Sequence, residues 1–207
     1  MVKKSVVLMA GLLSCSAALA SGDMYLEGQF GMHDADVSTK QYSDTVSGIT
    51  FNYSGDYDYD TATSAGFEIG VKTSPNVRIG FSYLTMDLEF QSATITGSIT
   101  DGTTTVNASA PVTRADVAAL GLTFDNEVKV YQAKIYYDFG DEDASVRPYI
   151  VGGLGQADVE NTTDRELITS VGAGVNFDVT ESVYFGAGFV YSSIAGPTDQ
   201  LGIEYDD

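Results

Sequence analysis

The sequence has one cysteine, no tryptophan and four prolines in 207 residues. The cysteine, Cys15, lies in a leader-like segment, so we expect a mature chain without disulfides that is stabilised by other means. Basic residues are scarce too: 10 Lys and Arg stand against 29 Asp and Glu, which gives a formal net charge of −19. So acidic a chain lacks the basic patch that nucleic-acid binding requires, and we expect no nucleic-acid partner.

The first twenty residues have the pattern of a signal peptide. Lys3 and Lys4 precede a short apolar run, and Ala18-Leu19-Ala20 is a small-x-small cleavage site. We therefore predict a signal peptide over 1–20 and one barrel domain over 21–207, with a mature net charge of −21 once those two lysines are removed. The alternative is a lipoprotein site, with Cys15 as the lipidated residue.

The stretch 128–139 shows the organising pattern of the chain. Apolar and polar residues alternate with a period of two, which predicts a strand with two unlike faces. One face carries Tyr131, Ala133, Ile135, Tyr137 and Phe139, and the other carries Gln132, Lys134, Tyr136 and Asp138. No later segment reaches the length of about 20 apolar residues that a membrane helix needs. The alternation therefore favours a barrel with its apolar face towards lipid and its polar face inside.

The same alternation recurs along the mature chain and predicts an all-β fold, an eight-stranded antiparallel up-and-down transmembrane β-barrel. Long insertions at 33–62 and 91–126 alternate with short turns, as in outer-membrane barrels. Asp101-Gly102 predicts a hairpin inside the second insertion, whereas 114–123 reads as either a helical turn or a strand. The predicted strands lie near 24–32, 63–73, 77–84, 128–139, 146–154, 167–177, 183–192 and 201–205.

Two short motifs resemble the small outer-membrane β-barrel proteins of Gram-negative bacteria, which include the OmpA transmembrane domain and the OmpX/Ail group. The motifs are Tyr136-Tyr137-Asp138-Phe139 and Arg147-Pro148-Tyr149, the second followed by Gly153 and Gly155. The resemblance implies location in the bacterial outer membrane and a structural or surface-interaction role, such as envelope integrity or adhesion. Barrels of this kind usually finish in an aromatic residue read by the assembly machinery. Here Tyr205 is followed by Asp206-Asp207, a departure that bears on assembly.

Charged residues on the polar face are the first candidate site. Because an eight-stranded barrel is filled by side chains, such charges must pair or be solvated. We expect a salt-bridge network that plugs the lumen, with a gated conduit as the alternative. The predicted lumen residues are Glu27, Glu68, Lys72, Arg78, Lys134, Asp138, Arg147 and Glu204. Glycines on this face, among them Gly70, Gly80 and Gly174, indicate a narrow barrel in which many inward positions must be small.

Two weaker candidates lie near the predicted outer mouth. Asp56, Asp58 and Asp60 alternate with tyrosines and could hold a divalent cation that bridges to lipopolysaccharide phosphates. We expect instead a solvated acidic edge and no resident metal or cofactor. His33, the sole histidine, would need a serine from another segment to act as a catalytic base. We expect a solvated histidine at the end of a strand.

We therefore expect a non-enzymatic monomer without an open pore. Its partners would be outer-membrane lipid and lipopolysaccharide, together with an extracellular surface met by 33–62 and 91–126. The alternatives are an enzyme acting on lipid A or protein and a narrow solute channel. A soluble lipocalin-like barrel also has eight strands, but it would place the aromatics inside and the charges outside.

Overall fold

A computed structural model describes residues 6–18, 24–38, 42–123, 125–141, 144–160, 162, 165–180 and 183–195, with only the backbone described over 6–18. The elements in chain order are β1 Val6–Ala18, β2 Met24–Ser38, β3 Tyr42–Val46, β4 Ile49–Tyr59, β5 Ala62–Ser74, β6 Val77–Leu88, β7 Phe90–Thr100, β8 Thr105–Thr113, α1 Arg114–Ala119, β9 Asn126–Asp138, β10 Val146–Val159, β11 Glu166–Thr180 and β12 Val183–Ile194. Within these residues no helix is long and apolar enough to cross a membrane.

Eight strands of the described chain form a closed antiparallel ring. Their order around it is β1, β12, β11, β10, β9, β6, β5 and β2, and β1 pairs with both β12 and β2. Neighbours in the ring are mostly neighbours in sequence, as an up-and-down barrel requires. The predicted all-β antiparallel barrel is therefore confirmed in fold class, although one position in the ring differs from the prediction.

The ring position that differs is the closing strand. The sequence predicted that 201–205 would close the ring and that 1–20 would be a signal peptide. Residues 201–205 lie outside the described residues. In the structure of the full chain, β1 fills this position, with Gly11 opposite Met32 of β2 and Phe189 of β12. Removal of 1–20 remains a prediction, and it would leave β2 and β12 without a strand between them. From the sequence, we predict that the segment 201–205 would then pair between these two strands.

The membrane half of the ring has the predicted orientation. Glu68 is 0% exposed and Lys134 is 8% exposed, whereas their strand neighbours Phe67 and Ile135 are 49% and 56% exposed. On the outer surface the rings of Phe67, Tyr83 and Tyr131 follow one another across three strands, with centroid distances of 5.9 and 5.2 Å. Such an aromatic row is typical of the boundary between hydrocarbon and headgroups.

Beyond this row the chemistry of the two faces is reversed. Lys129 and Glu127 point outwards on β9 and form an ion pair of 2.7 Å. Their neighbours Val128 and Val130 point inwards and are buried. The upper part of the barrel thus encloses an apolar core, which the prediction of a polar lumen did not include. This core contains Ala35, Val37, Tyr59, Ala62, Met86, Leu88, Phe90, Ala93, Val117, Val128, Val130, Ala157, Ile168 and Ile194.

The two long insertions are mainly strands, as expected around Asp101-Gly102 in the second insertion but not in the first, which the sequence indicated only as a polar insertion. The crown sheet consists of β3, β4, β7 and β8, and it joins the ring where β4 pairs with the outer end of β2. The predicted hairpin at Asp101-Gly102 is confirmed, because β7 and β8 pair antiparallel with Thr100 opposite Thr105. In the turn, Asp101 Oδ1 accepts the backbone N–H groups of Thr103 and Thr104. The ambiguous stretch 114–123 begins with the short helix α1.

Helix α1 fastens the crown sheet to the barrel. Thr113 and Asp116 form a capping box at its N-terminus, and Val117 reaches the upper core. Arg114 bridges Glu89 at 3.0 Å and Asp125 at 3.1 Å. These contacts hold the lower end of β8 close to the barrel mouth and leave its other end to project outwards.

Candidate functional site

The lower lumen is built around the guanidinium of Arg78. Its Nε and Nη2 donate to the two carboxylate oxygens of Asp138 at 2.7 and 2.9 Å, a bidentate pair between β6 and β9. Nη1 donates to the hydroxyl of Tyr184 at 3.1 Å. Bidentate pairing matches the planar fork of Arg to a carboxylate and is stronger than a single neutral hydrogen bond.

Four tyrosine rings surround this guanidinium. The Cζ atom of Arg78 lies 4.4 Å from the ring centroid of Tyr136 and within 5.5–5.8 Å of the rings of Tyr25, Tyr149 and Tyr184. Positive charge is attracted to the face of an aromatic ring at such distances. The rings therefore pack around the buried cation and stabilise it.

Glu68 is the second centre of the network, one layer further out. It accepts hydrogen bonds from the hydroxyls of Tyr25 and Tyr136, both at 2.7 Å, and from Gln29 at 3.2 Å. The ammonium of Lys134 completes its shell with an ion pair of 3.2 Å. Both carboxylate oxygens are thereby satisfied, as a fully buried charge requires.

Glu27 lies directly opposite Glu68 across β2 and β5. Two facing carboxylates repel each other unless donors separate them. Here Gln29 donates to both of them, at 3.1 Å to Glu27 and 3.2 Å to Glu68, and Tyr184 donates to Glu27 at 2.8 Å. Tyrosine hydroxyls thus connect the layer of Arg78 with the layer of the two glutamates.

A third ion pair lies near the periplasmic turns. Arg147 donates from Nε and Nη2 to the carboxylate of Asp178 at 3.1 and 2.8 Å. Lys72 is half-buried at the lower rim. Among the described residues of the lower lumen, four acidic groups stand against four basic groups, so their formal charges balance; these groups are Glu27, Glu68, Asp138 and Asp178 with Lys72, Arg78, Lys134 and Arg147.

Glycines provide the room for the tyrosines and carboxylates. A methyl group at Gly80 would overlap Glu68 Oε1, and one at Gly70 would overlap the ring of Tyr25. At Gly174 it would lie 2.5 Å from the ring of Tyr149. By contrast, a methyl group at Gly152 would meet nothing within 4 Å. The inward glycines of the sequence therefore match inward bulk on the neighbouring strands.

The structure brings together most of the predicted lumen residues. Glu27, Glu68, Arg78, Lys134 and Asp138 belong to one connected cluster, and Arg147 forms its own pair below them. Lys72 lies opposite Arg78 in the β5–β6 pairing but forms no hydrogen bond or ion pair with the cluster within the described residues, and Glu204 lies outside those residues. The four tyrosines and Asp178 were not among the predicted site residues, although their inward parity was readable: Tyr136 alternates with Ile135 and Tyr137, and Asp178 with Phe177 and Val179.

His33 is at the boundary between the polar network and the upper core. It is 3% exposed rather than solvated, which corrects the expectation from the sequence. Its Nε2 lies 2.5 Å from Oγ of Ser64 on β5, the serine from another segment that an enzyme would need. Its Nδ1 is buried without a hydrogen-bond partner in the described structure, whereas a catalytic triad places an acid there. The cavity beside His33 is lined by apolar side chains, Met86, Val130 and Ile168 among them, and by the polar side chains of Gln29, Gln132, Lys134 and Ser192.

Asp56 and Asp58 are exposed on the outer side of β4, and Asp60 is exposed directly after the end of that strand. Within the described chain, no group of three His, Cys, Asp or Glu side chains is close enough together to hold a metal ion. The three carboxylates form a solvated acidic row at the base of the crown sheet.

The ring of strands, its apolar belt and its filled polar interior define a membrane β-barrel protein. A family model described as "Outer membrane protein beta-barrel domain" matches residues 5–207, so the chain belongs to that family and to the bacterial outer membrane. No curated protein matches the sequence. Among solved structures, the transport unit of the autotransporter AIDA-I from Escherichia coli is 8% identical, with a TM-score of 0.19 over 94% of this chain and 91% of that one.

Proposed function

We propose that this outer-membrane barrel is a surface-interaction protein, in which the barrel is a sealed anchor and the crown sheet meets other surfaces. The observation that carries the proposal is the contrast between a lumen packed with side chains and a sheet that projects from it. Arg78, Glu68 and their tyrosines occupy the lower half, and the apolar core occupies the upper half. The outward sheet is the part of the molecule left for contact.

Adherence of cells that carry a trimmed crown tests the proposal. Ile95 and Ala110 are opposite each other in the β7–β8 hairpin, so an Asn-Gly turn can replace residues 96–109 and keep the lower hairpin. We expect the trimmed protein to assemble as a barrel, shown by heat-modifiable migration, and the cells to lose adherence to other cells or surfaces. Undiminished adherence with a folded trimmed barrel would contradict the proposal.

The narrow channel is the first alternative, and planar-bilayer recording distinguishes it. If the barrel is a sealed anchor, purified protein should give no conductance steps. Steps above baseline that disappear when a bulkier side chain is placed in the lumen would establish a channel. Ser82→Phe is a suitable substitution, because Ser82 is buried on the inward face of β6.

An enzyme is the second alternative, and the contact between His33 and Ser64 is the observation that favours it. The pair is buried in the barrel, and the cavity beside His33 is lined by both apolar and polar side chains. We propose that it is a structural hydrogen bond at the boundary of the two halves. An altered profile of lipopolysaccharide acyl chains on His33→Ala would support the enzyme, and an unchanged profile removes it.

We further propose that the protein is a monomer within its own membrane and that lipopolysaccharide is its lipid partner at the outer rim. The acidic row Asp56, Asp58 and Asp60 forms no metal site of its own within the described chain, so a divalent cation would link a carboxylate of the row to a phosphate group of the lipid. Exchange of the three residues for asparagine should then weaken the magnesium-dependent binding of lipopolysaccharide. Binding that is the same with and without magnesium would contradict the bridge.

A further inference from the structure

The edge strand β8, Thr105–Thr113, has a sequence that is nearly the same in both directions. It reads Thr-Val-Asn-Ala-Ser-Ala-Pro-Val-Thr. Reversal about Ser109 pairs Thr with Thr, Val with Val and Ala with Ala, and the sole mismatch joins Asn107 to Pro111. An antiparallel strand pair related by a two-fold axis has this symmetry, since each residue meets the one at the mirrored position.

The edge of β8 is open and uncharged. The strand pairs with β7 on one side and ends the order of the described sheet on the other. All its residues are exposed except Val112, which is half-buried. Residues 102–113 include no ionisable side chain in a chain that carries 29 acidic ones. Exposed edges are normally protected by charges, bulges or proline, because they otherwise pair with further strands.

Pro111 limits this pairing but does not prevent it. In the register centred on Ser109 it lies opposite Asn107, so each half of the pair loses at most one backbone N–H donor. The remaining cross-strand pairs are Thr105 with Thr113, Val106 with Val112 and Ala108 with Ala110. These are like-for-like pairs of residues that suit a β-sheet surface or are small.

One face of the crown sheet supports the same register. The face shared by Phe51, Ile99 and Val106 is apolar, and these three residues are direct neighbours across β4, β7 and β8. All three are exposed. A two-fold axis perpendicular to a sheet keeps each face on its own side, so the apolar faces of two copies become continuous across the join.

We propose, resting on the interaction role above, that β8 pairs antiparallel with β8 of a second copy held in an opposing membrane. The crown sheet continues the wall of the barrel through the β2–β4 pairing, so its normal lies close to the membrane plane. A two-fold axis along that normal inverts the partner, which must therefore come from the opposite side. One strand pair is a small interface, but many copies between two membranes act together.

A charge placed on the two-fold axis tests the pairing. Full-length protein is reconstituted into two populations of vesicles with different fluorescent lipids, and clustering is followed by turbidity and colour coincidence. We expect wild-type vesicles to cluster. Ser109→Lys should abolish clustering, because it sets two ammonium groups directly opposite each other. Thr96→Lys is the matched control: Thr96 is the neighbour of Ser109 one strand further in, and the variant should cluster like wild type.

Mixing the charges makes the test specific for two copies of β8. Ser109→Glu vesicles should also fail to cluster alone, and they should cluster again when mixed with Ser109→Lys vesicles. Heat-modifiable migration shows that each variant is folded. Clustering of Ser109→Lys at the wild-type level, or failure of the mixture to recover, overturns the pairing. Wild-type vesicles that adhere to a foreign surface but not to each other overturn it too, and they leave the interaction role intact.

Discussion

The membrane half and the outer half of the barrel have the same backbone and opposite chemistry. In β9 the inward residues change from Val128 and Val130 to Gln132 and Lys134 without any change in the alternation. Below the aromatic row the surroundings are hydrocarbon, so the outward residues are apolar and the interior takes the polar groups. Above it the surroundings are water, and the interior becomes an ordinary apolar core.

The comparison shows that each half depends on a different interaction. The lower interior is stable only while its charges are paired, because an unpaired buried charge is costly. The upper interior depends on close packing of apolar side chains, where loss of volume is costly. In the lower half, a substitution should therefore be destabilising when it leaves a buried charge unpaired. In the upper half, it should be destabilising when it removes buried apolar volume.

The largest effect is expected from breaking the ion pair of the lower half. Arg78→Met removes the partner of the buried Asp138 carboxylate, and loss of one member of a buried pair costs about 3–5 kcal/mol of unfolding free energy. Adding Asp138→Leu should recover most of this loss, since a buried pair can be replaced by apolar groups. Urea unfolding in lipid vesicles, followed by heat-modifiable migration, measures both. A double variant as unstable as the single one would contradict this explanation.

The corresponding substitution in the upper half is Phe90→Ala. Phe90 is 1% exposed and contacts the rings of Tyr57 and Tyr59 edge-on. Truncation of a buried phenylalanine costs about 3–5 kcal/mol, and we expect the lower end here because the site lies near the mouth. Hydrogen exchange should increase above the aromatic row and stay unchanged below it. Phe51→Ala, at an exposed site, is the control and should change stability by less than about 0.5 kcal/mol.

A smaller effect is expected from adding volume to the lower half. Gly80→Ala places a methyl group against the Glu68 carboxylate, and overpacking of this kind costs about 1–3 kcal/mol. Gly152→Ala adds the same group where no atom lies within 4 Å and should be neutral. Equal unfolding midpoints for the two variants would show that the inward glycines are not needed for packing.

The smallest effect is expected from protonation of Asp101 in the turn at the tip of the crown sheet. Hydrogen bonds from the backbone N–H of Thr104, and then from the backbone and side chain of Thr103, lower the pKa of Asp101 from 3.8 to about 2. A carboxyl with a lowered folded pKa stabilises the fold above its unfolded pKa, and this stabilisation is lost as pH falls towards about 2. A carboxyl chemical-shift titration in micelles should place the midpoint near 2. A midpoint near 4 would indicate that the turn is open.

Prediction from the sequence succeeded for properties that depend only on a residue and its two neighbours along the chain, such as the face of a strand on which the residue lies. Ile135 and Lys134 were assigned to opposite faces by parity alone, and both assignments are confirmed. The reversal at Val130 was missed, because parity does not show where hydrocarbon ends and water begins. In the crown sheet, the strands of the first insertion were missed because β4, from Ile49 to Tyr59, contains Asp, Gly and Ser, which normally mark turns.

By itself the sequence determined the period of the membrane strands, the face of each residue in the strands that were both predicted and described, and the family, because these follow from local alternation and from composition. The tertiary structure alone decided which inward groups meet. Arg78 and Asp138 are 60 residues apart and Glu68 and Tyr136 are 68 apart, and their contact depends on the pairing of β6 with β9 and on the closure of the ring. Contacts between residues so far apart in sequence are set by strand register and barrel curvature. Both depend on the whole barrel and cannot be read from any single segment.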